Sequence, residues 1–178
     1  MKREAATFCL GLWLMGTVCV SVAAMQDFYT IDRLLADPGN DTFAGMVESI
    51  GRAESRDFLR FLSSELNRLF FQLWNWSQFV IGGATLWLVL GVPGAPRLKW
   101  SVVGMLAIVG VLTFLVTPQI LSVGRSLDFV PRDPAPPSMR EFEILHTTYT
   151  TLEMLKFAVG AVVVFWVVRM PRTSTRPA

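Results

Sequence analysis

Residues 69–92 read LFFQLWNWSQFVIGGATLWLVLGV and contain no charged side chain. As a helix, a mainly apolar stretch of about 20 residues is long enough to cross the hydrocarbon core of a bilayer. Residues 93–97, Pro-Gly-Ala-Pro-Arg, follow it and combine prolines that end a helix with a glycine that permits a reversal. Another apolar run, 98–123, begins at once. We therefore predict an antiparallel hairpin of two transmembrane helices.

Two more apolar runs, 6–25 and 147–168, lie outside this hairpin. A signal peptide is the competing interpretation of the first, because the run follows Met-Lys-Arg and contains a Val-Ala-Ala sequence near its end. Its twenty uncharged residues exceed the usual apolar region of about 7–15 residues, and Trp13 lies in its middle, so we expect a retained span. The sequence thus predicts an all-α integral membrane four-helix bundle, built as a single membrane domain over residues 1–178.

Residues 27–68 differ from the apolar runs because they hold eight acids and five arginines. A bilayer core does not accommodate so many charges, so we predict an extramembrane helical segment between spans one and two. No proline or glycine occurs between positions 53 and 81, so one helix should run from this outer segment into the span at 69–92. Asp41, which ends a Pro-Gly-Asn-Asp turn, is the expected N-cap of a shorter helix before it.

Residues 128–137 link the third span to the fourth and contain four prolines, which predicts an extended and stiff chain. Three arginines and four acids lie in or beside this link. We predict that Arg132 or Arg125 pairs with an acid of the outer segment or of the link, and that Asp128 and Phe129 take part in docking the link onto the outer segment; the two together are called the outer layer. Exposed ion pairs contribute only about 0–1 kcal/mol, so the burial of Phe129 should matter more than the charges.

The short flanks of the four spans are basic. With four spans these flanks lie on one side of the membrane, which the positive-inside rule identifies as the cytoplasm. The long connections carry twelve acids. We therefore predict that both termini are inside and that the outer segment and the link are outside. The basic flanking residues are Lys2, Arg3, Arg97, Lys99, Arg169, Arg172 and Arg176.

A polar stripe runs along the fourth span, with members spaced by four, three, four, three and four residues. A charge near the bilayer centre costs about 2.5 kcal/mol or more and usually faces the bundle. The second span carries a polar stripe of its own, and its amides are the expected partners of the fourth span. The first stripe comprises Phe142, His146, Tyr149, Glu153, Lys156 and Gly160, and the second Asn67, Asn75, Gln78, Gly82 and Thr85.

Other chemistry has little support in the sequence. The single histidine, His146, excludes a bis-histidine haem or zinc site, and Cys9 and Cys19 lie too far apart on one helix to form a disulfide. The net charge of +2, without a basic patch, gives no indication of nucleic-acid binding. No phosphate-binding loop or nucleophile elbow occurs. We predict a protein without cofactor, metal or enzymatic activity.

Several stretches together resemble a known family over nearly the whole chain. They are Leu12-Trp13 with Gly16, Gln26-Asp27-Phe28, Asp32–Leu35, Ser64–Arg68, Asp128–Asp133, and Leu145-His146 with Tyr149, Glu153 and Lys156. The chain resembles an uncharacterised bacterial family of small four-span membrane proteins, a domain of unknown function that is distantly similar to a eukaryotic multi-span membrane protein. The resemblance implies four spans, the polar stripe and a bacterial cytoplasmic (inner) membrane, but no activity.

Two functions stay open at the level of sequence. The first is a non-enzymatic membrane protein that acts through helix packing or through a membrane partner, which includes a second copy of the chain. The second is a small transporter or a protein that binds an ion or polar ligand within the membrane, and it requires a wet cavity. The candidate residues for that polar intramembrane site are His146, Tyr149, Glu153, Lys156, Asn75 and Gln78.

Overall fold

The computed structural model describes residues 2–92 and 96–169, and every regular element within these ranges is a helix. Three of the helices are long and apolar enough to cross a membrane: α1, α4 and α5. The tip of the predicted hairpin turn, 93–95, and the flanking Arg172 and Arg176 lie outside the described residues. The helices are α1 (Lys2–Ala36), α2 (Asp41–Ile50), α3 (Arg52–Leu90), α4 (Pro96–Ser126) and α5 (Pro137–Arg169).

Helix α3 runs unbroken for 39 residues. This agrees with the prediction of one continuous helix, which rests on the absence of proline and glycine between positions 53 and 81. The predicted span at 69–92 is its second half. It is not among the three apolar helices, because its polar residues, Asn75 and Gln78 among them, lower its mean hydropathy. Asn75 and Gln78 are buried against the other helices. Most of the exposed residues in this half of α3 are apolar, with Gln72 and Ser77 as polar exceptions.

Helices α1 and α3 form a long antiparallel pair that continues beyond the predicted spans. In the middle of the bundle, the Trp13 indole donates to Gln78, and further toward the outer segment, the Asn67 amide donates to the Ala24 carbonyl at 3.2 Å. Helix α1 does not end at the predicted boundary near position 25 but continues to Ala36, because residues 25–37 contain no proline or glycine. The outer segment is therefore made of the two ends of this pair, with α2 between them.

The N-cap of α2 is Asn40 and not Asp41. The Asn40 Oδ1 accepts a hydrogen bond from the backbone N–H of Phe43 at 3.0 Å. Asp41 is the first residue of the helix itself, where its carboxylate lies near the positive end of the helix dipole. Either residue type can cap, and the backbone decides between them: Asn40 has the extended conformation that an N-cap requires.

The basic flanks that the structure describes lie at one end of the bundle. The Arg3 guanidinium donates to the backbone carbonyl of Val168 at 3.2 Å, so the start of α1 lies beside the end of α5. The Lys2 side chain packs against Gly91, which follows α3. Between this end and the middle of the bundle lies an apolar core to which α1, α3, α4 and α5 all contribute. Its fully buried members include Leu10, Trp13, Val89, Val102, Met105 and Val163.

Helix α4 contains a π-helical turn at Leu112–Val116, just before Pro118. Proline has no N–H and its ring collides with the carbonyl four residues earlier, so an ordinary α-helix is interrupted there. The Thr117 N–H instead donates to the Leu112 carbonyl, five residues back. This wider turn changes the direction in which the following residues point, and it aims the Thr117 hydroxyl at α3.

Gly16 lies under the Trp74 ring at the contact between α1 and α3. A Cβ built on Gly16 would overlap two atoms of that ring, whereas a Cβ on Gly11 would meet nothing within 4 Å. We expect Gly16→Ala to lower the free energy of unfolding by about 1–3 kcal/mol, as overpacking does. Gly11→Ala on the same helix is the control and should be neutral or raise it by up to about 1 kcal/mol. Thermal denaturation in detergent compares the two; equal effects would contradict the close contact.

Candidate functional site: a buried polar network

The centre of the bundle holds a charged pair on α5. The Lys156 Nζ lies 2.6 Å from the Glu153 Oε2, and the Lys156 side chain is 0% exposed. Three residues separate the two on the helix, so both point to the same face. The pair is neutral overall, which removes most of the penalty that a single charge would carry at this depth.

Gln78 of α3 joins this pair to α1. Its Oε1 accepts hydrogen bonds from the Trp13 Nε1, at 3.0 Å, and from the Lys156 Nζ. Its Nε2 donates to the Glu153 Oε1 at 3.3 Å. Gln78 is fully buried, and a single amide thus links three helices. The Lys156 ammonium also lies 6.0 Å from the centroid of the Trp13 ring, within the range of a cation–π interaction.

A second set of polar contacts lies about one turn further toward the outer layer. The Tyr149 hydroxyl of α5 donates to the Asn75 Oδ1 of α3 at 3.1 Å, and the Asn75 Nδ2 donates to the Thr117 Oγ1 of α4 at 2.9 Å. The Tyr149 ring packs edge-on against Phe71 at 5.3 Å. We call the seven residues of both sets the polar network: Trp13, Asn75, Gln78, Thr117, Tyr149, Glu153 and Lys156.

The structure brings together five of the six residues that the sequence placed at the polar site. His146 is the exception, because it is exposed and stacks on Phe142 with ring centroids 6.0 Å apart. At about 100° per residue, His146 lies roughly 60° around α5 from Tyr149, at the edge of the buried stripe. The structure therefore does not bring His146 to the other five candidate residues.

Sequence reasoning missed two members of the polar network, Trp13 and Thr117. Trp13 lies in an uncharged run, and an indole there is equally typical of lipid contact. The signal for Thr117 is its neighbour Pro118, because π-turns caused by helix interruptions are frequent at functional sites. In both cases the missing information was which helices are neighbours.

The polar network is closed. Among the described residues, none of its side-chain nitrogen or oxygen atoms is buried without a hydrogen-bond partner. Two cavities of about 370 Å³ and 630 Å³ lie elsewhere: the first beside Trp74 in the α1–α3 groove, and the second between Asp32 and Arg52 in the outer layer. Neither is lined by a residue of the network. The arrangement can therefore fix the helices relative to one another, whereas a ligand would have to break its hydrogen bonds.

No family model, curated protein or solved structure matches this chain. The resemblance to a four-span bacterial family accordingly stays a prediction. Within the residues that the structure describes, no group of three or more histidine, cysteine, aspartate or glutamate side chains is placed to hold a metal ion.

An ion pair fastens the link to α3 at the border between the spans and the outer layer. The Arg68 Nη2 lies 2.8 Å from the Asp128 Oδ1, and Arg68 also pairs with Glu65 one turn away. The two side chains are only 10% and 17% exposed. Burial alone would lower the pKa of Arg68, but the hydrogen bonds and charges of Asp128 and Glu65 outweigh it and raise the pKa.

The link then follows α3 away from the bundle. The Phe129 ring packs against the Phe61 ring, tilted by 34° with the centroids 5.1 Å apart, but 62% of Phe129 is exposed, so it contributes less burial than predicted. In the part of the chain that the structure describes, neither Arg132 nor Arg125 forms an ion pair. Arg132 is exposed, and partial desolvation and the charge of Arg60 lower its pKa. The predicted pairing is therefore wrong: Arg68 holds the link, because it is the arginine of α3 at the height where Asp128 approaches.

Proposed function

We propose that this chain is a non-enzymatic, four-span integral membrane protein that acts through helix packing and a membrane partner. The observation that carries the proposal is the closed polar network, in which Lys156 and Glu153 neutralise each other and Gln78 satisfies both. A transport or ligand site needs polar atoms that are free to exchange partners with a solute. A network whose atoms are already paired supports the structural role instead.

Insertion of α3 as the fourth span is part of this proposal. Asn75 and Gln78 face the other helices, so the energetic cost of placing these two amides in a bilayer is met by hydrogen bonds within the bundle. The basic residues at one end of the bundle support cytoplasmic termini, with the acidic outer segment on the other side. A bacterial inner membrane is the location that the family resemblance favours.

The experiment places single cysteines in a chain from which Cys9 and Cys19 have been removed by alanine substitution. Thr117→Cys reports on the polar network, Ser49→Cys on the outer segment and Arg97→Cys on the basic end. Ser49 and Arg97 are exposed, and Thr117 is 6% exposed. A membrane-impermeant maleimide is then added to intact cells or spheroplasts, with and without permeabilisation, and labelling is read from the mass of the protein.

We expect Ser49→Cys to react in intact spheroplasts, Arg97→Cys to react only after permeabilisation, and Thr117→Cys to react in neither case. Reaction of Thr117→Cys would mean that water reaches the polar network, and it would overturn the structural role in favour of the transporter. Reaction of the other two from the same side would contradict the four-span topology. Unfolding is excluded as a cause when the Thr117→Cys variant keeps the denaturation midpoint of the cysteine-free parent.

A further inference from the structure

Helix α3 carries an apolar seam on the surface that faces away from the bundle. Its members alternate at intervals of four and three residues, which is the heptad pattern of positions a and d in a coiled coil. Every member is exposed in the fold, and the exposed fraction of the members other than Gly83 runs from 38% at Leu66 to 74% at Val80. The seam consists of Leu62, Leu66, Leu69, Leu73, Trp76, Val80, Gly83, Trp87 and Leu90.

The seam extends past the part of α3 that lipid can cover. Along α3, from the uncharged stretch 69–92 toward the outer segment, the first charged residues are Arg68 and Glu65, and Asp128 lies beside them. Leu62 lies about 9 Å beyond Arg68 along the helix axis, on the aqueous side. Lipid chains would cover the seam from Leu69 onward, but they do not reach Leu62, which is 49% exposed. A single occupant that covers the whole seam must itself be a helix that crosses the membrane and continues beyond it.

We propose that the seam binds a second copy of this chain, as a parallel α3–α3 pair related by a two-fold axis along the membrane normal. Such symmetry places each seam residue opposite its own counterpart, so apolar residues meet apolar residues along the whole length. The α3 helix of a second copy has an apolar seam that crosses the membrane and continues above it to the same height. The inference rests on the proposed membrane insertion of α3.

Charge and shape along the seam fit this pairing. Of the residues beside the seam at coiled-coil positions e and g, between 58 and 86, only Glu65 is charged, and it already pairs with Arg68 of its own chain. No like charges are therefore brought together. Gly83 leaves open space, because nothing lies within 4 Å of where its Cβ would be. The bulky Trp87, four residues away and 70% exposed, can pack into the corresponding space of the second copy.

The available area is sufficient for a stable pair. An aromatic side chain buries about 150–250 Å², so the Trp76 and Trp87 rings of two copies bring on the order of 500 Å² into contact. Adding the six leucine and valine positions of each copy takes the interface to the order of 1,000 Å² or more, the size of a specific interface. A strict 3.5-residue repeat also predicts a left-handed crossing of the two helices.

The test is oxidative cross-linking of single cysteines in native membranes, using the full chain without Cys9 and Cys19 and two co-expressed copies with different epitope tags. Cysteines replace seam residues on both sides of the charged level. Asp57→Cys on α3 and Met154→Cys on α5 are the controls, because both residues are exposed and lie off the seam. The seam variants are Leu62→Cys, Leu66→Cys, Leu69→Cys and Leu73→Cys.

We expect the seam variants to form a disulfide-linked species that contains both tags, at a yield at least five-fold above that of Asp57→Cys and Met154→Cys. Equal yields at seam and control positions would overturn the pairing. A cross-linked product that contains one tag and a different protein would assign the seam to a foreign helix and would overturn it too. Failure of α3 to insert is detected separately, by the labelling of Ser49→Cys and Arg97→Cys, so the two proposals can fail independently.

Discussion

Replacing Lys156 by methionine is expected to lower the free energy of unfolding in detergent by about 3–5 kcal/mol, because it leaves the Glu153 carboxyl group in a buried site without its cation. Methionine keeps most of the volume of the lysine side chain, so the loss reports the charge and not a cavity. Glu153→Gln should cost a similar amount, since it leaves the fully buried Lys156 ammonium without its partner. Both effects are measured by denaturant titration of the purified protein.

The double variant Glu153→Gln/Lys156→Met separates the pair from its members. It removes both charges and leaves Gln78 able to bond to an amide, so its loss should be smaller than that of either single variant. Glu143→Gln on the same helix is the control, because Glu143 is exposed, and it should change stability by less than about 0.5 kcal/mol. Additive losses in the double variant would contradict a mutually neutralised pair.

Replacing Arg68 by leucine is expected to cost about 3 kcal/mol or more, because it leaves Asp128 largely buried without a cation and releases the link from α3. Leucine retains part of the apolar stem of arginine, so packing is lost less than charge. Arg132→Leu should change stability by less than about 0.5 kcal/mol, since Arg132 is exposed and makes no ion pair among the described residues. The sequence alone assigned the ion pair to Arg132 or Arg125, so this comparison tests which arginine holds the link.

Salt provides a second measurement for the Arg68 contact. A partly buried ion pair is screened much less than exposed charges, so the difference between Arg68→Leu and the parent chain should persist at about 1 M salt, where the Debye length falls to about 3 Å. Phe129→Ala tests the apolar part of the docking, and its effect should be smaller than that of Arg68→Leu because 62% of Phe129 is exposed. If Phe129→Ala proved the more harmful, the ring contact with Phe61 would be the main attachment of the link.

The sequence predicts the faces of helices well and their neighbours poorly. The spacing of Asn75 and Gln78 on α3, and of Tyr149, Glu153 and Lys156 on α5, is a local property, and it correctly indicates which side chains point inward. Thr117 enters the polar network only because α4 passes Asn75 at that height. The contact between Thr117 and Asn75 depends on how three helices pack together, and the residue spacing within α4 does not predict it.

The outer layer shows the same difference between what a local sequence pattern predicts and what depends on neighbouring elements. The sequence predicts a stiff link with charges that dock on the outer helices, and the link does follow α3. It does not identify the arginine that holds the link, because Arg68, Arg125 and Arg132 all lie near acids along the chain. The arginine that pairs with Asp128 is decided by the position along α3 that Asp128 approaches. The end of α4 determines that position. His146 shows the corresponding limit on α5, since a difference of about 60° around a helix decides whether its ring is buried.

The sequence separation between Gln78 and Lys156 has a consequence for synthesis on the ribosome. The two residues are 78 positions apart, and at about 5–20 residues per second the ribosome needs roughly 4–16 seconds to make the chain between them. During this interval α3 has emerged with Asn75 and Gln78, whereas Tyr149, Glu153 and Lys156 have not been made. Trp13 is the only earlier partner of Gln78 in the described chain. On the proposed insertion of α3, its release into lipid should be delayed until α5 has been made, and the insertion machinery should shield the polar face of α3 during this interval.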